Sequence, residues 1–100
     1  MPSENVTLKD ERSFLVDGTS RVATLTPRLG KRTISNMGNA DVMLNLKGED
    51  ITGTLSSPYG ENMIRLPKYA TWEFKKRQAT FSFRCLDVAE TSELAYGVGE

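Results

Sequence analysis

The sequence predicts an all-β protein, a single antiparallel β-sandwich of jelly-roll-like or immunoglobulin-like type. The prediction depends on apolar residues that recur at every second position in four segments. Since successive side chains of an extended strand point to opposite faces, each segment has one apolar face and one polar face. Strands of this kind form antiparallel sheets that cover a core on one side only. The apolar positions are Val42, Leu44 and Leu46, then Trp72 and Phe74, then Phe81, Phe83 and Cys85, and finally Leu94, Tyr96 and Val98.

The chain has 100 residues, which corresponds to one domain. We expect residues 1–20 to form an N-terminal segment or arm that packs on the domain or on a neighbouring chain, and residues 21–100 to form the β-sandwich. The pattern of the N-terminal segment is compatible with either a hairpin-like pair of strands or an arm that docks elsewhere. It contains two short alternating stretches on either side of a charged cluster: Val6 with Leu8, and Phe14 with Val16.

The next elements are two strands and a turn. A β-rich run over residues 22–26 stops at Pro27, which has no amide hydrogen for a ladder. Residues 31–37 form the following strand. Residues 36–41, Asn-Met-Gly-Asn-Ala-Asp, have the composition of a tight turn and predict a hairpin with the strand that begins at Val42.

The second half of the chain contains a long irregular region and three strands. Residues 47–65 hold three glycines and Pro58, and we expect one short strand around residues 51–55 and an exposed tip at residues 56–60. In the strand that follows, Ser82 and Arg84 alternate with phenylalanines and are expected to face water. Helix is not expected, because no window shows apolar spacing of three and four residues.

Charge and composition exclude several classes of partner. Lysine plus arginine equals aspartate plus glutamate at 13 each, so the chain has no overall positive field to attract nucleic acid or anionic membranes. The N-terminal residues lack the apolar run of a signal peptide, and no segment reaches the roughly 20 apolar residues of a membrane span. We therefore expect a soluble protein made in the cytosol, with neither a nucleic-acid nor a membrane partner.

The residues available for catalysis are few. The chain has no histidine, which removes Ser-His and Cys-His pairs, histidine-rich zinc sites and the commonest general base. Its single cysteine, Cys85, lies on the apolar side of a strand and is expected to be a buried small hydrophobe. The acidic residues in turns show neither a paired-carboxylate nor an EF-hand pattern. We expect no enzyme activity, no catalytic residues, no cofactor and no metal.

Two groups of residues remain as candidates for recognition. The basic run at residues 75–77 lies near aromatic residues, but alternation places those rings on the opposite strand face, so a solvated turn is expected. Apolar residues outside the regular strands are the better candidates for partner binding. They are Val6, Leu8 and Phe14 near the N-terminus and Tyr59 and Met63 in the long loop.

The pattern from residue 20 to residue 100 resembles small β-sandwich accessory proteins of tailed bacteriophage virions, namely head decoration or cement proteins and head-fibre-like domains. The residues that carry the resemblance are the turn at 36–41 followed by Val42, the pair Leu66-Pro67 before the aromatic strand at Trp72, and a terminal strand near a final acid. The chain departs from the family pattern at Lys68-Tyr69-Ala70, where glycine is usual.

The resemblance implies a non-enzymatic virion protein. Its expected function is that of a capsid decoration or cement protein that binds the major capsid protein, stabilises the head and forms a homo-oligomer, with a trimer as first expectation. Its expected location is the virion, after synthesis in the host cytoplasm. The alternative is a receptor-binding or carbohydrate-binding β module of the tail or fibre, for which Tyr59 and Tyr69 are the plausible outer rings.

Overall fold

The structure, a computed structural model, describes residues 5–26 and 30–99. These residues form nine β-strands joined by turns and loops, and they contain no helix. The strands are β1 (Asn5–Leu8), β2 (Arg12–Val16), β3 (Arg21–Leu25), β4 (Arg32–Asn36), β5 (Val42–Asn45), β6 (Met63–Leu66), β7 (Thr71–Phe74), β8 (Thr80–Cys85) and β9 (Ser92–Val98).

The strands assemble into two sheets that pack face to face. Sheet A has five strands in the order β1-β3-β8-β5-β6, and sheet B has four in the order β2-β9-β4-β7. Neighbouring strands are antiparallel, except that β1 runs parallel to β3 at the edge of sheet A. The all-β, antiparallel sandwich predicted from the alternating pattern is confirmed.

The pairing follows a nested order. From β2 onward, the first strand pairs with the last, β3 pairs with β8, β4 with β7, and β5 with β6. A long antiparallel ribbon folded over in this way gives the jelly-roll arrangement of two four-stranded sheets, to which β1 is added here. Of the two sandwich types that the sequence allowed, the strand order therefore matches the jelly roll and not the immunoglobulin order.

The core lies between the two sheets and contains most of the predicted residues. Phe81 is packed between Phe74 and Phe83, with ring centroids 4.7 and 5.8 Å apart. Leu46 and Trp72 are only partly buried, because Leu46 follows the end of β5 and Trp72 lies on the edge strand β7. Val98 is also partly buried, and Ile34 of β4 is fully buried. The predicted residues that are buried are Val42, Leu44, Phe74, Phe81, Phe83, Cys85, Leu94 and Tyr96.

Two buried polar side chains mark the ends of the sandwich, and both come from β4. Arg32 donates hydrogen bonds to the carbonyl oxygens of Lys75, Lys76 and Gln78 and so holds the turn between β7 and β8. Asn36 lies at the other end, where its amide nitrogen donates to the carbonyl oxygens of Ala40 and Leu66. We call these the Arg32 end and the Asn36 end.

The predicted hairpin across residues 36–41 is wrong. β4 belongs to sheet B and β5 to sheet A, so the turn carries the chain from one sheet to the other. Gly38 lies so close to β9 that an added Cβ atom would stand 2.6 Å from the backbone nitrogen of Glu93. The turn residues correctly predicted a chain reversal, but local turn chemistry does not determine whether two strands pair side by side or face each other across a core.

The expectation that Ser82 and Arg84 face water is also wrong. Both are buried, as is Met43 on the neighbouring strand, because the loop at residues 46–62 folds over the outer face of sheet A. Arg84 donates hydrogen bonds to the carbonyl oxygens of Ile51 and Gly53 in that loop, at 3.1 and 2.9 Å. The short strand expected at residues 51–55 does not form, and β6 occupies part of the region expected to be irregular.

The N-terminal segment divides between the two sheets over its described part, which begins at residue 5. β1 pairs with β3 in sheet A, and β2 pairs with β9 in sheet B. Of the two interpretations that the sequence left open, the hairpin-like pair does not form; β1 and β2 are instead strands of the two sheets themselves.

Candidate interaction surface

The N-terminal residues expected to bind a partner lie mainly inside the chain. Leu8 is fully buried, and Val6 and Phe14 are partly buried against the core. Phe14 packs edge to face on Phe83 with ring centroids 5.3 Å apart. Val6 and Phe14 line an open groove of about 390 Å³ at the β1–β2 side of the sandwich, whereas Leu8 has no exposed surface in this arrangement.

The two loop residues expected to bind a partner lie elsewhere. Tyr59 and Met63 are partly buried and line an open cleft of about 340 Å³ formed by residues 50–63. The amide nitrogen of Asn45 approaches the Met63 sulfur at 3.5 Å, which ties the side of this cleft to β5. The structure therefore does not combine the N-terminal and loop candidates into one site.

A different set of residues forms the most exposed apolar surface. Within the described ranges, four large apolar side chains are exposed, and all four lie at the Asn36 end. Leu15 is 79% exposed, Tyr69 67% and Met37 48%. Val88, the fourth, lies in the connection between β8 and β9 and not on a sheet.

Leu15, Met37 and Tyr69 share one line across the outer face of sheet B. Leu15 pairs with Glu93 in the β2–β9 ladder, and the backbone nitrogen of Met37 donates to the carbonyl oxygen of Glu93 at 2.8 Å. The backbone nitrogen of Tyr69 donates to the carbonyl oxygen of Asn36, so Tyr69 lies beside the end of β4, next to the position of Met37. We call the four residues Leu15, Glu93, Met37 and Tyr69 the apolar row, although Glu93 interrupts it with a charge.

The next positions on this face are small. Ser13, Ala95, Ser35 and Thr71 form the adjacent line across the four strands. The hydroxyl groups of Ser35 and Thr71 are hydrogen-bonded at 2.7 Å. Because these side chains are short, the apolar row stands above a flat area of sheet, unlike the outer face of sheet A, which the loop at 46–62 covers.

Tyr69 has a backbone conformation that residues other than glycine rarely adopt. Its φ angle is +66°, and the amide of Ala70 donates to the carbonyl oxygen of Pro67 at 2.9 Å, which closes a four-residue turn with Tyr69 in third position. The Lys68 ammonium lies 4.8 Å from the centroid of the Tyr69 ring. An aromatic residue thus occupies a position where glycine would be less strained. The turn geometry therefore does not account for the tyrosine, and its side chain is a candidate for a binding function.

Sequence reasoning missed this surface, although two signals were present. Leu15 lies between Phe14 and Val16, so one apolar residue occupies the side of β2 where a polar residue would be expected. The second signal is the departure from the family pattern at Lys68-Tyr69-Ala70, where glycine is usual; the sequence indicates Tyr69 only as an outer ring of the alternative carbohydrate-binding module. Met37 gives no such signal, because it lies where a predicted strand and a predicted turn overlap.

An ion pair between Asp17 and Arg21 follows directly after the end of β2. Arg21 donates a hydrogen bond to the Asp17 carboxylate, and the backbone amide of Thr19 donates to the same carboxylate at 2.9 Å. The bond from Arg21, followed by that from Thr19, holds the pKa of Asp17 below its usual value.

The buried thiol of Cys85 lies at the same end. Burial, followed by the negative charge of Glu90, raises the pKa of Cys85 to about 11. Its thiol is 3.6 Å from the carbonyl oxygen of Val16. The side chain is therefore a protonated core residue at neutral pH and has little nucleophilic character.

The described residues contain no cluster of three or more histidine, cysteine, aspartate or glutamate side chains placed to hold a metal ion. The part of the chain that the structure describes also has no helix long and apolar enough to cross a membrane. No protein-family model, no curated protein and no solved structure matches this chain.

Proposed function

We propose that this protein is a non-enzymatic structural component of a tailed-bacteriophage particle, a decoration or cement protein that binds the major capsid protein and stabilises the head. The observation that carries the proposal is the apolar row on the uncovered outer face of sheet B. Apolar side chains of this size stabilise an interface by about 1.5–3 kcal/mol each when they become buried. A compact domain that leaves three of them exposed in one line has a surface suited to a protein partner.

Tyr69 supports the same function. Its φ of +66° stabilises neither the turn nor the core, because glycine would adopt this conformation with less strain. Since strained residues cluster at binding and active sites, the ring of Tyr69 has a use outside the domain. The phage assignment depends on the resemblance of the turn and strand pattern, because a jelly roll by itself hosts many functions.

Self-association fits this function. A capsid presents the same surface many times, so an oligomer with one apolar row per subunit would bind through several contacts at once. Linked contacts raise the overall affinity by a factor of about 10² to 10⁴ over a single contact. We propose a homo-oligomer, with a trimer as the first state to test by analytical ultracentrifugation.

The test uses phage particles that lack the protein and purified protein added back. We expect the wild type to cosediment with the particles and to raise the temperature at which they release DNA. Leu15→Ser and Tyr69→Gly should each weaken binding about tenfold or more, since central apolar contacts dominate interface energies. Val88→Ser is the matched control, because it removes an equally exposed apolar side chain from the same end but not from the sheet.

The proposal fails if the wild type does not bind the particles. If Val88→Ser weakens binding as much as Leu15→Ser does, the surface lies on the connections at the Asn36 end and not on the row. Tyr59→Gly tests the loop residues separately, because Tyr59 lies in the cleft at residues 50–63. A loss of binding confined to Tyr59→Gly would show that the long loop, and not the apolar row, forms the interface.

The exposed ring of Tyr69 also favours a second candidate, a glycan-binding module, because sugars stack on exposed aromatic faces. The Lys68 ammonium, 4.8 Å from the ring centroid, occupies space over that ring and leaves less of it for a sugar. A glycan array distinguishes the two functions: glycan binding that Tyr69→Phe retains and Tyr69→Gly abolishes would favour this candidate.

A further inference from the structure

Glu93 is the one charged member of the apolar row. It lies between Leu15 and Met37, at an outward-facing position of β9. Glu93 as a whole residue is partly buried by its neighbours. A carboxylate in this position is unusual, because a charge in the middle of an apolar patch weakens that patch as a purely hydrophobic interface.

No cation within the described ranges forms an ion pair with Glu93. The basic groups near the row are engaged elsewhere: the Lys68 ammonium donates to the side-chain oxygen of Asn39 at 2.7 Å, and Arg21 pairs with Asp17. Arg65 pairs with Asp41. Arg21 and Arg65 are thus paired with other carboxylates, and no described ion pair neutralises Glu93, so its carboxylate is available to an external partner.

The backbone holds Glu93 in place before any partner arrives. Its carbonyl oxygen accepts the hydrogen bond from Met37, and the turn at Gly38 lies against its nitrogen. The preceding residue, Ser92, donates through its hydroxyl to the Asn36 side-chain oxygen at 2.7 Å. A backbone fixed by two strands and a buried hydrogen bond presents the Glu93 side chain at a defined position, so no backbone ordering is required when a partner binds.

We propose that the apolar row docks a protein segment that presents one lysine or arginine between two apolar side chains. This inference deepens the proposed function and rests on it, since it specifies the chemistry of the capsid surface that the row would bind. A partner that covers Leu15, Met37 and Tyr69 also removes water from Glu93. Burying a carboxylate without a partner is costly, so the segment must bring a cation to it.

The spacing of the row defines the segment further. Adjacent strands are about 4.8 Å apart, so Leu15 and Tyr69 are separated by about 14 Å across three strand intervals. In an extended segment, side chains on one face recur about every 6.8 Å, so residues i and i+4 span about the same distance. An extended segment laid across the strands would thus meet Leu15 and Tyr69 with apolar residues at i and i+4 and Glu93 with a basic residue at i+2.

The test selects binders from a random library of 12-residue peptides displayed on filamentous phage, with the wild-type protein as bait. We expect enriched peptides of the form apolar-x-basic-x-apolar, which bind Glu93→Gln at least tenfold more weakly than the wild type. Glu73→Gln is the matched control, because Glu73 is exposed on the same face but lies outside the row, opposite Thr33. Binding to this variant should be unchanged.

Charge reversal provides a second, independent readout. Selection against Glu93→Arg should enrich an acidic residue at the central position in place of the basic one. Peptides without a central charge, equal binding to Glu93→Gln, or no enrichment over an unrelated β-sandwich bait would each overturn the inference.

The peptide selections test the inference and the particle experiment tests the proposed function, so the two can be contradicted independently. If the wild type binds particles but Glu93→Gln binds them equally well, the inference is wrong and the proposed function stands. If the peptides enrich as expected but the wild type does not bind particles, the recognition chemistry stands and the capsid assignment is wrong.

Discussion

At the scale of single residues, the positive φ angle of Tyr69 allows its effect on stability to be measured apart from its effect on binding. A left-handed conformation costs a residue with a Cβ atom about 1–2 kcal/mol, while glycine adopts it freely and loses about 0.5–1 kcal/mol through unfolded-chain entropy. We therefore expect the unfolding free energy of Tyr69→Gly, measured by urea denaturation, to be about 1 kcal/mol higher than that of Tyr69→Ala. A more stable alanine variant would show that the turn does not impose the positive φ in solution.

Cys85 leads to a prediction about pH. Its pKa is raised from 9.0 to about 11 in the folded state, so between these values the folded protein retains a proton that the unfolded chain has lost. Its contribution to stability is fully present below pH 9 and is lost as the pH rises toward 11. The unfolding free energy of the wild type should fall more steeply over this interval than that of Cys85→Ala, which has no thiol to titrate.

The same burial predicts low reactivity. A thiol-specific disulfide reagent at pH 8 should modify Cys85 quickly only in denaturant, and Cys85→Ser should keep particle binding while losing stability. Rapid labelling of the folded protein would contradict the buried position.

At the scale of elements, Arg84 holds the long loop on sheet A. Its guanidinium group donates to four carbonyl oxygens: those of Ile51 and Gly53 in the loop, and those of Cys85 and Leu86 beside it. A lysine cannot reproduce this fork of donors, so Arg84→Lys leaves buried acceptors unsatisfied. We expect a loss of about 2–4 kcal/mol in unfolding free energy and faster proteolysis within residues 52–60.

Arg77→Lys is the control for this experiment. Arg77 is exposed in the turn between β7 and β8, and none of the hydrogen bonds described for the loop involves it. Stability within about 0.5 kcal/mol of the wild type is expected for this variant. Equal proteolysis of the two variants would show that the loop is held by contacts other than those of Arg84.

The elements also show where sequence reasoning succeeds and where it stops. Alternation predicts β8 and β9 and places Phe81 and Phe83 on the core side, because the two-residue period of a strand depends only on residues within that strand. The burial of Arg84 could not be predicted in this way. It depends on a loop more than thirty residues earlier in the chain, which local alternation does not register.

The apolar row illustrates the same limit for the candidate site. Leu15 lies in β2 and Tyr69 in the turn before β7, and only the pairing of β2 with β9 and of β4 with both β9 and β7 brings them to the same face. The individual residues were visible as exceptions to the pattern. Their convergence on one face follows from the strand order, which the sequence alone did not determine.

At the scale of the whole molecule, the nested pairing order makes the sandwich one cooperative unit. β9 lies between β2 and β4, so the last strand of the chain occupies the interior of sheet B and contacts one of the first. Loss of either partner exposes core residues such as Val16 and Leu94, which are almost completely buried. Folding through such distant pairings is expected to be slow for a domain of this size, in the range of about milliseconds to seconds.

This architecture predicts how the N-terminal segment behaves in solution. If residues 5–20 belong to the cooperative unit, the backbone amides of β2 that bond to β9 should exchange with deuterium only on global unfolding, at the same free energy as those of β9. An independent arm would open first and exchange faster. The measurement is residue-resolved hydrogen exchange by NMR under native conditions.

The edge strand β1 provides the internal comparison. Both β1 and β2 are edge strands, but β1 pairs with β3 over four residues, while β2 pairs with β9 over five and its Phe14 also packs on Phe83 of the opposite sheet. We expect amides of β1 to exchange somewhat faster than those of β2, and Leu8→Ala to cost about 2–5 kcal/mol because Leu8 is fully buried. If Leu8→Ala instead left the unfolding free energy unchanged while reducing particle binding, β1 would be an exchangeable arm, and the partner site expected at Leu8 from the sequence would replace the apolar row.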